Sequence, residues 1–193
     1  MPPRQRLTAR DWVAAALGAL AEGGPAAVAV EPLAIRLGAT KGSFYWHFAN
    51  RDALLDAVLE HWERTETEHV IADLEREPDA RVRLEHLLTT AMTPTAGTVG
   101  SSVELALQAA IGRPAVAATL ARVTRRRLDY LTGLFGELGF TAEEARSRGT
   151  LAYTAYLGHA QLAHAAPDLV PDGRPSPGYL RTVIDSLTAP ASR

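Results

Sequence analysis

The chain has 193 residues, of which 47% are hydrophobic and 22% are charged, so it can form one or two packed domains and is neither disordered nor collagen-like. It contains no cysteine, which excludes disulfide frameworks, thiolate nucleophiles and cysteine-ligated zinc or iron–sulfur sites. The formal net charge is −2, but residues 1–51 carry six basic and three acidic side chains, whereas residues 52–193 carry fourteen and nineteen. A basic head on an acidic body indicates a module that binds a polyanion.

Four helices are predicted in the head, from apolar residues that recur with helical spacing and from turn residues between them. They cover 8–22, part of 26–37, a segment that begins at Lys41, and a long segment from Asn50 to about Arg76. Thr8, Thr40 and Asn50 are the candidate N-caps. Gly38 is a candidate left-handed residue at the end of the second helix. Three short helices joined by tight turns and followed by a long one predict a helix-turn-helix.

The body shows the same helical periodicity and no strand pattern. The first predicted helix of the body follows Pro78 and ends at about 92. The others cover 102–111, 115–138, Thr141 to about 165, and 177–188, with loops at 93–100 and 167–178. The predicted fold class is therefore all-α with about nine helices. No apolar run is long enough for a signal peptide or a membrane span, so we expect a cytoplasmic protein.

The segment from Leu33 to Leu55, LAIRLGATKGSFYWHFANRDALL, resembles the DNA-binding head of the tetracycline-repressor (TetR) family of bacterial transcriptional regulators. It has the Leu-Gly turn between the second and third helices, the Phe-Tyr-x-His-Phe core of the third, and a basic residue followed by Leu-Leu in the fourth. The resemblance covers about residues 7–56. It implies a helix-turn-helix DNA-binding domain at 1–52 and a helical effector-binding and dimerisation domain at 53–193.

In a helix-turn-helix the second helix of the pair enters the major groove of DNA with its N-terminal residues. Here that helix opens with Lys41, Gly42 and Ser43. Lys41 or Ser43 is predicted to read purine acceptors, and Gly42 lets the backbone approach the duplex. The predicted phosphate contacts are Tyr45, Trp46, His47 and Arg51, with further contacts from Thr8, Thr40 and the Arg4/Arg6 arm. Phe44 and Phe48 are expected to fill the core of the head.

One position departs from the family pattern. Where many members have a Ser or Thr that caps the second helix and contacts phosphate, this chain has Val30, followed by Glu31. We expect that contact to be absent. Glu31 either accepts a hydrogen bond from a cytosine amino group or is a solvated acid favoured by the helix dipole, and we favour the second interpretation.

The body contains aromatic and polar residues of the kind that line an apolar pocket with a few polar groups. The candidates for an effector pocket are Trp62, Gln108, Tyr130, Tyr153, Tyr156 and His159, and for each of them taken alone plain core is the favoured interpretation. The arginines between Arg122 and Arg127 are interpreted as a solvated face or as inter-helix ion pairs, and as a weaker candidate for binding an acidic ligand. The resemblance implies a homodimer through the last two long helices.

Taken with the resemblance, these features predict a homodimeric repressor that binds a palindromic operator in double-stranded DNA and is released by a small-molecule effector. The alternatives are an activator or an effector-independent DNA binder of the same fold, or a helical carrier or enzyme. The sequence contains no nucleophile elbow, phosphate loop or dinucleotide fingerprint, and no two histidines have the i, i+4 spacing of a helical metal site. We therefore predict no enzyme activity, no cofactor and no metal.

Overall fold

The computed structural model describes residues 7–93 and 100–190, and every regular element within those ranges is helical. The α-helices are α1 (Ala9–Ala27), α2 (Val30–Arg36), α3 (Lys41–Tyr45), α4 (Arg51–Glu63), α5 (His69–Leu74), α6 (Ala80–Met92), α7 (Gly100–Ala109), α8 (Pro114–Glu137), α9 (Ala142–Ala165) and α10 (Pro177–Thr188). A π-helical segment (Arg64–Glu68) joins α4 to α5, and a 3-10 turn (Pro171–Gly173) precedes α10. With α4, the π-helical segment and α5 counted as one helix, the described residues contain nine helices, which confirms the predicted all-α class.

Two predicted features lie outside the described residues: the Arg4/Arg6 arm and most of the loop at 93–100. Within the described residues, no helix is both long enough and apolar enough to cross a bilayer.

The chain packs as two compact units. Among the described residues, the first comprises 7–66 and 100–121, and the second comprises 67–93 and 122–190. The first therefore contains α1 to α4, α7 and the start of α8. These units describe packing, and the functional boundary between residues 52 and 53 stays a prediction.

The predicted N-caps of the head are confirmed. Thr8 and Asp11 form a reciprocal capping box at the start of α1. The Thr40 hydroxyl accepts a hydrogen bond from the Ser43 backbone N–H at 3.2 Å, and the Asn50 side chain accepts one from Ala53 at 2.8 Å. Each cap satisfies donors that the first helical turn leaves free.

Two glycine positions of the head, Gly38 and the Gly23–Gly24 pair, lie where the helical backbone ends or breaks. Gly38 has a φ of 60°, the left-handed conformation that ends α2 and leads into α3. The predicted end of the first helix at residue 22 is confirmed by a break in the helical backbone at Gly23 and Gly24, where Gly24 has a φ of 67°. A further short helical stretch continues from Pro25 to Ala27 and is included in the bounds of α1.

An aromatic core holds the first unit together. Trp12 of α1 and Phe44 of α3 are fully buried and meet edge to face, with ring centroids 5.3 Å apart. Such a pair contributes about 0.5–1.5 kcal/mol beyond its area burial. Phe48 is half-buried and stacks on Phe44 at 5.7 Å. The prediction that both phenylalanines face the core of the head is confirmed.

The second unit has its own apolar core, contributed by four helices. Its buried members are Leu84 and Leu88 of α6, Leu131 and Phe135 of α8, Ala145, Ala152 and Tyr153 of α9, and Leu187 of α10.

The predicted long helix from Asn50 to Arg76 is interrupted. The π-helical segment lies inside it, and there the Thr65 hydroxyl donates a hydrogen bond to the His61 carbonyl at 2.9 Å. Such back-bonding by a threonine competes with the main-chain ladder and bends helices. The buried Thr67 accepts a hydrogen bond from Arg127 Nε at 3.0 Å. Helical periodicity alone predicted the length of this helix but not the local change of winding.

Candidate nucleic-acid interface

The aromatic residues of α3 and its C-cap residue Trp46 lie on two faces; α3 is the helix predicted to enter the major groove and is called the recognition helix below. Phe44 points into the core, whereas Tyr45 is 60% exposed and Trp46 is 84% exposed. The sequence predicted this division, because aromatic residues in consecutive positions cannot all face one side of a helix. The exposed phenol and indole carry hydrogen-bond donors, as contacts to phosphate oxygens require.

The first turn of α3 presents Lys41 and Gly42 to solvent, while Ser43 is half-buried. A Cβ atom at Gly42 would meet, among the described residues, only the Thr40 hydroxyl oxygen at 3.7 Å, an ordinary contact. Packing within the head therefore does not require a glycine here, whereas a close approach to an external partner does favour one.

His47 is held inside the head. Its Nε2 lies 3.0 Å from the main-chain oxygen of Leu7, which immediately precedes the first N-cap. Since a carbonyl only accepts, Nε2 is the donor in this contact. This hydrogen bond connects the residue before the N-cap of α1 to the residue after the C-cap of α3.

Arg51 is also turned toward the protein. Its Nε donates to the Val28 carbonyl at 2.7 Å, its Nη2 donates to the Pro25 carbonyl, and its Nη1 lies 3.3 Å from Asp52. Pro25 and Val28 belong to the end of α1 and the connection to α2, where carbonyls lack helical partners. Sequence analysis missed this role because the partners lie 23 and 26 residues away.

Two ion pairs cross between the helices of the head. Arg36 of α2 contacts Glu22 of α1 at 2.6 Å, and this hydrogen bond lowers the pKa of the Glu22 carboxyl. Lys41 of α3 contacts Glu31 of α2. All four side chains remain substantially exposed, so each pair contributes little to stability.

The predicted effector residues are distributed over both packing units. Trp62 and Gln108 belong to the first unit, where Trp62 is buried and Gln108 is exposed. Tyr130, Tyr153, Tyr156 and His159 belong to the second.

Three of the four residues in the second unit have neighbours on α8, α9, α10 or the 3-10 turn before α10. The Tyr153 hydroxyl lies 3.3 Å from the Thr124 hydroxyl, and the Tyr153 and Tyr156 rings are 6.2 Å apart. The buried His159 places Nε2 3.0 Å from the Gly173 carbonyl and stacks on Tyr179.

Tyr130 lies near a buried arginine that sequence analysis did not single out. Arg83 of α6 forms an ion pair with Glu137, close to the Tyr130 hydroxyl. Burial raises the pKa of Tyr130, and the Arg83 guanidinium partly offsets this effect. In the part of the chain that the structure describes, no group of three His, Asp or Glu side chains is arranged to hold a metal ion.

The fold defines an all-α protein with an N-terminal helix-turn-helix, and residues 13–58 match the family model of bacterial regulatory proteins, tetR family. The family match over residues 13–58, together with the helical fold, supports a TetR-family transcriptional regulator with a DNA-binding helix-turn-helix. No curated protein matches its sequence.

Solved structures of regulators share this fold. A TetR-family regulator from Agrobacterium tumefaciens has a TM-score of 0.78 at 20% identity, over 94% of this chain and 97% of that one. A regulator from Saccharomonospora viridis in complex with choline has 0.73 at 18%, over 93% and 92%. FadR from Bacillus subtilis in complex with stearoyl-CoA has 0.73 at 16%, over 96% and 100%.

Proposed function

We propose that the protein is a homodimeric repressor that binds a near-palindromic operator and is released by a small-molecule effector. The observation that carries the DNA-binding part is the exposure of Tyr45 and Trp46 beside Lys41 on a capped recognition helix. Large exposed aromatic side chains next to a cation fit a surface made for a nucleic acid. A regulator of this kind works in the cytoplasm.

The predicted contact residues fall into two groups in this proposal. Direct contact with DNA is assigned to Thr40, Lys41, Gly42, Ser43, Tyr45 and Trp46. His47 and Arg51 hold the surface in place through the Leu7 and Val28 carbonyls. The DNA-binding domain is assigned to 1–52, and the effector-binding and dimerisation domain to 53–193.

An apolar stripe on α9 supports the homodimer. Leu151 is 54% exposed and Leu162 is 44% exposed, and Ala155 and Gly158 lie between them at spacings of four, three and four residues. This spacing places all four on one face of the helix. A two-fold dimer through α9 and α10 buries this stripe, and its recognition helices must lie about 34 Å apart to enter successive major grooves.

Release by an effector is proposed from the solved relatives in complex with choline and stearoyl-CoA. These ligands differ in charge and size, so they support a ligand-binding body and no particular effector. The effector shifts the population toward a dimer whose head spacing no longer matches the grooves. The helical segment formed by α4, the π-helical segment and α5 runs from the head into the body and is assigned the coupling role.

The test is selection of duplexes from a randomised DNA pool at about 0.15 M salt, followed by affinity titration of the selected sequence. A two-fold symmetric consensus with half-sites about 10 bp apart is expected. Weak binding without a consensus overturns the specific-regulator proposal. If a compound that binds the body leaves operator affinity unchanged, release by that compound fails, because coupling is reciprocal in binding free energy.

A further inference from the structure

An ion pair joins the N-terminal ends of the recognition helix and the helix before it. Lys41 is the first residue of α3 and Glu31 is the second residue of α2, and Lys41 Nζ donates a hydrogen bond to Glu31 Oε1. The side chains stay 58% and 67% exposed. Lys41 and Tyr45 are one helical turn apart on α3, so the ion pair and the exposed Tyr45 belong to one surface.

We propose that Glu31 and Lys41 together read one G·C base pair in each half of the operator, and that Glu31 is a specificity-determining residue. The ion pair with Lys41 is the reason to prefer this role over the solvated acid that the sequence alone favoured. This inference rests on the proposed DNA-binding function. In the major groove, guanine presents the acceptors N7 and O6, and its partner cytosine presents the N4 amino donor. A lysine ammonium held beside a carboxylate matches this acceptor and donor pattern.

An A·T pair does not present this arrangement of purine acceptors beside a pyrimidine amino donor. Where cytosine presents an amino donor, thymine presents the O4 acceptor and a methyl group, against which a carboxylate gains no hydrogen bond. The Glu31 charge is therefore repelled by O4 as well as by the phosphates.

Glu31 acts mainly by penalising wrong sequences. A carboxylate near the phosphates weakens binding to every duplex, and its pairing with Lys41 reduces the positive charge offered to DNA. The cytosine amino group offsets this penalty at a matching site. Glu31 therefore confers specificity because its carboxylate is unfavourable at every sequence that lacks the matching cytosine.

The same selection experiment with E31Q tests the inference. Glu22→Gln is the matched control, because Glu22 also forms a cross-helix ion pair in the head, is 64% exposed, and loses the same charge. In wild type we expect a G·C pair at one position of each half-site. In E31Q the preference for that pair is expected to fall by about fivefold or more.

Binding of E31Q to random duplexes is expected to tighten, and its dependence on salt to steepen by about 0.9 per half-site in the log–log slope as the Lys41 charge becomes available. E22Q should keep the wild-type consensus. A second variant, Lys41→Gln, should lose the same base preference while weakening binding to random duplexes.

The outcomes separate the two proposals. If wild type selects a consensus but E31Q selects it equally well, the inference about Glu31 is overturned and the regulator function stands. If E31Q and E22Q change the consensus alike, the effect is one of net charge, and the inference is again overturned. If wild type binds no duplex specifically, both proposals fail.

Discussion

The Nε atom of Arg51 lies 2.7 Å from the main-chain oxygen of Val28, so the first residue of α4 closes the connection between α1 and α2. Together with the contact to the Pro25 carbonyl, it satisfies acceptors at the end of a helix with a charged group. The residue that the sequence suggested as a phosphate ligand thus has a structural task inside the head.

Arg51→Ala is expected to destabilise the protein by about 1–3 kcal/mol, because hydrogen bonds to a charged group are lost and carbonyls are left without donors. Urea unfolding followed by circular dichroism measures this change. Arg10→Ala, at an exposed position of α1, is the control and should be near neutral. Unchanged stability of Arg51→Ala with loss of DNA binding would instead make Arg51 a direct phosphate ligand.

Tyr45→Phe and Trp46→Ala are expected to leave the unfolding free energy nearly unchanged, since both side chains are exposed. Binding to all duplexes should weaken by about two- to tenfold per half-site, the effect of losing one ordinary hydrogen bond. Fluorescence anisotropy with specific and random duplexes measures both affinities. Ile35→Ala, which removes a side chain that is 81% exposed on α2, is the control. A loss confined to the specific duplex would show that these residues read bases.

Gly149 marks a close contact between α8 and α9. A Cβ atom there would lie 3.2 Å from both the backbone nitrogen and the hydroxyl oxygen of Thr132. Gly149→Ala is therefore expected to lower stability by about 1–3 kcal/mol, as overpacking does. Gly133→Ala on α8, where no described atom lies within 4 Å of the new Cβ, should stabilise by up to about 1 kcal/mol. Equal effects of the two substitutions in chemical unfolding would contradict this packing.

If the protein is the proposed dimer, Leu151→Glu is expected to convert it to a monomer, because the substitution places a charge in the α9 stripe that the two-fold interface would bury. Sedimentation velocity at several concentrations measures the oligomeric state. Leu169→Glu is the control, since Leu169 is exposed but lies beyond the end of α9. A Leu151→Glu protein that still sediments as the wild-type dimer would place the interface elsewhere.

The free energy of unfolding should also fall in acid, because protonation of Glu144 weakens the capping box at the start of α9. Hydrogen bonds from the Thr141 hydroxyl and backbone N–H lower the pKa of Glu144 from its ordinary value of 4.5. A carboxyl with a lowered pKa in the folded state stabilises the protein above its unfolded pKa, and this contribution is lost as pH falls through the folded value.

Glu144→Gln should therefore reduce the loss of stability between about pH 5 and pH 3 in urea unfolding. Glu143→Gln removes the same charge from the same helical turn but leaves the Thr141 hydrogen bonds in place, so it serves as the control. If the two variants show the same acid dependence, the capping box is not its origin.

The sequence by itself determined the features that depend on residues within about one helical turn. Thr8, Thr40 and Asn50 act as caps, and Gly38 forms the left-handed turn, because capping and turn conformation are local properties. The burial of Phe44 and the exposure of Trp46 follow from helical spacing in the same way.

Only the tertiary structure decided which groups meet across the chain. His47 contacts Leu7 forty residues away, Arg51 contacts Val28 twenty-three residues away, and Glu31 contacts Lys41 ten residues away. The sequence marked Lys41, His47 and Arg51 as donors for DNA, but whether a donor faces solvent or a carbonyl depends on the path of distant segments. Local periodicity does not contain that path, because it arises from how separate helices pack against one another.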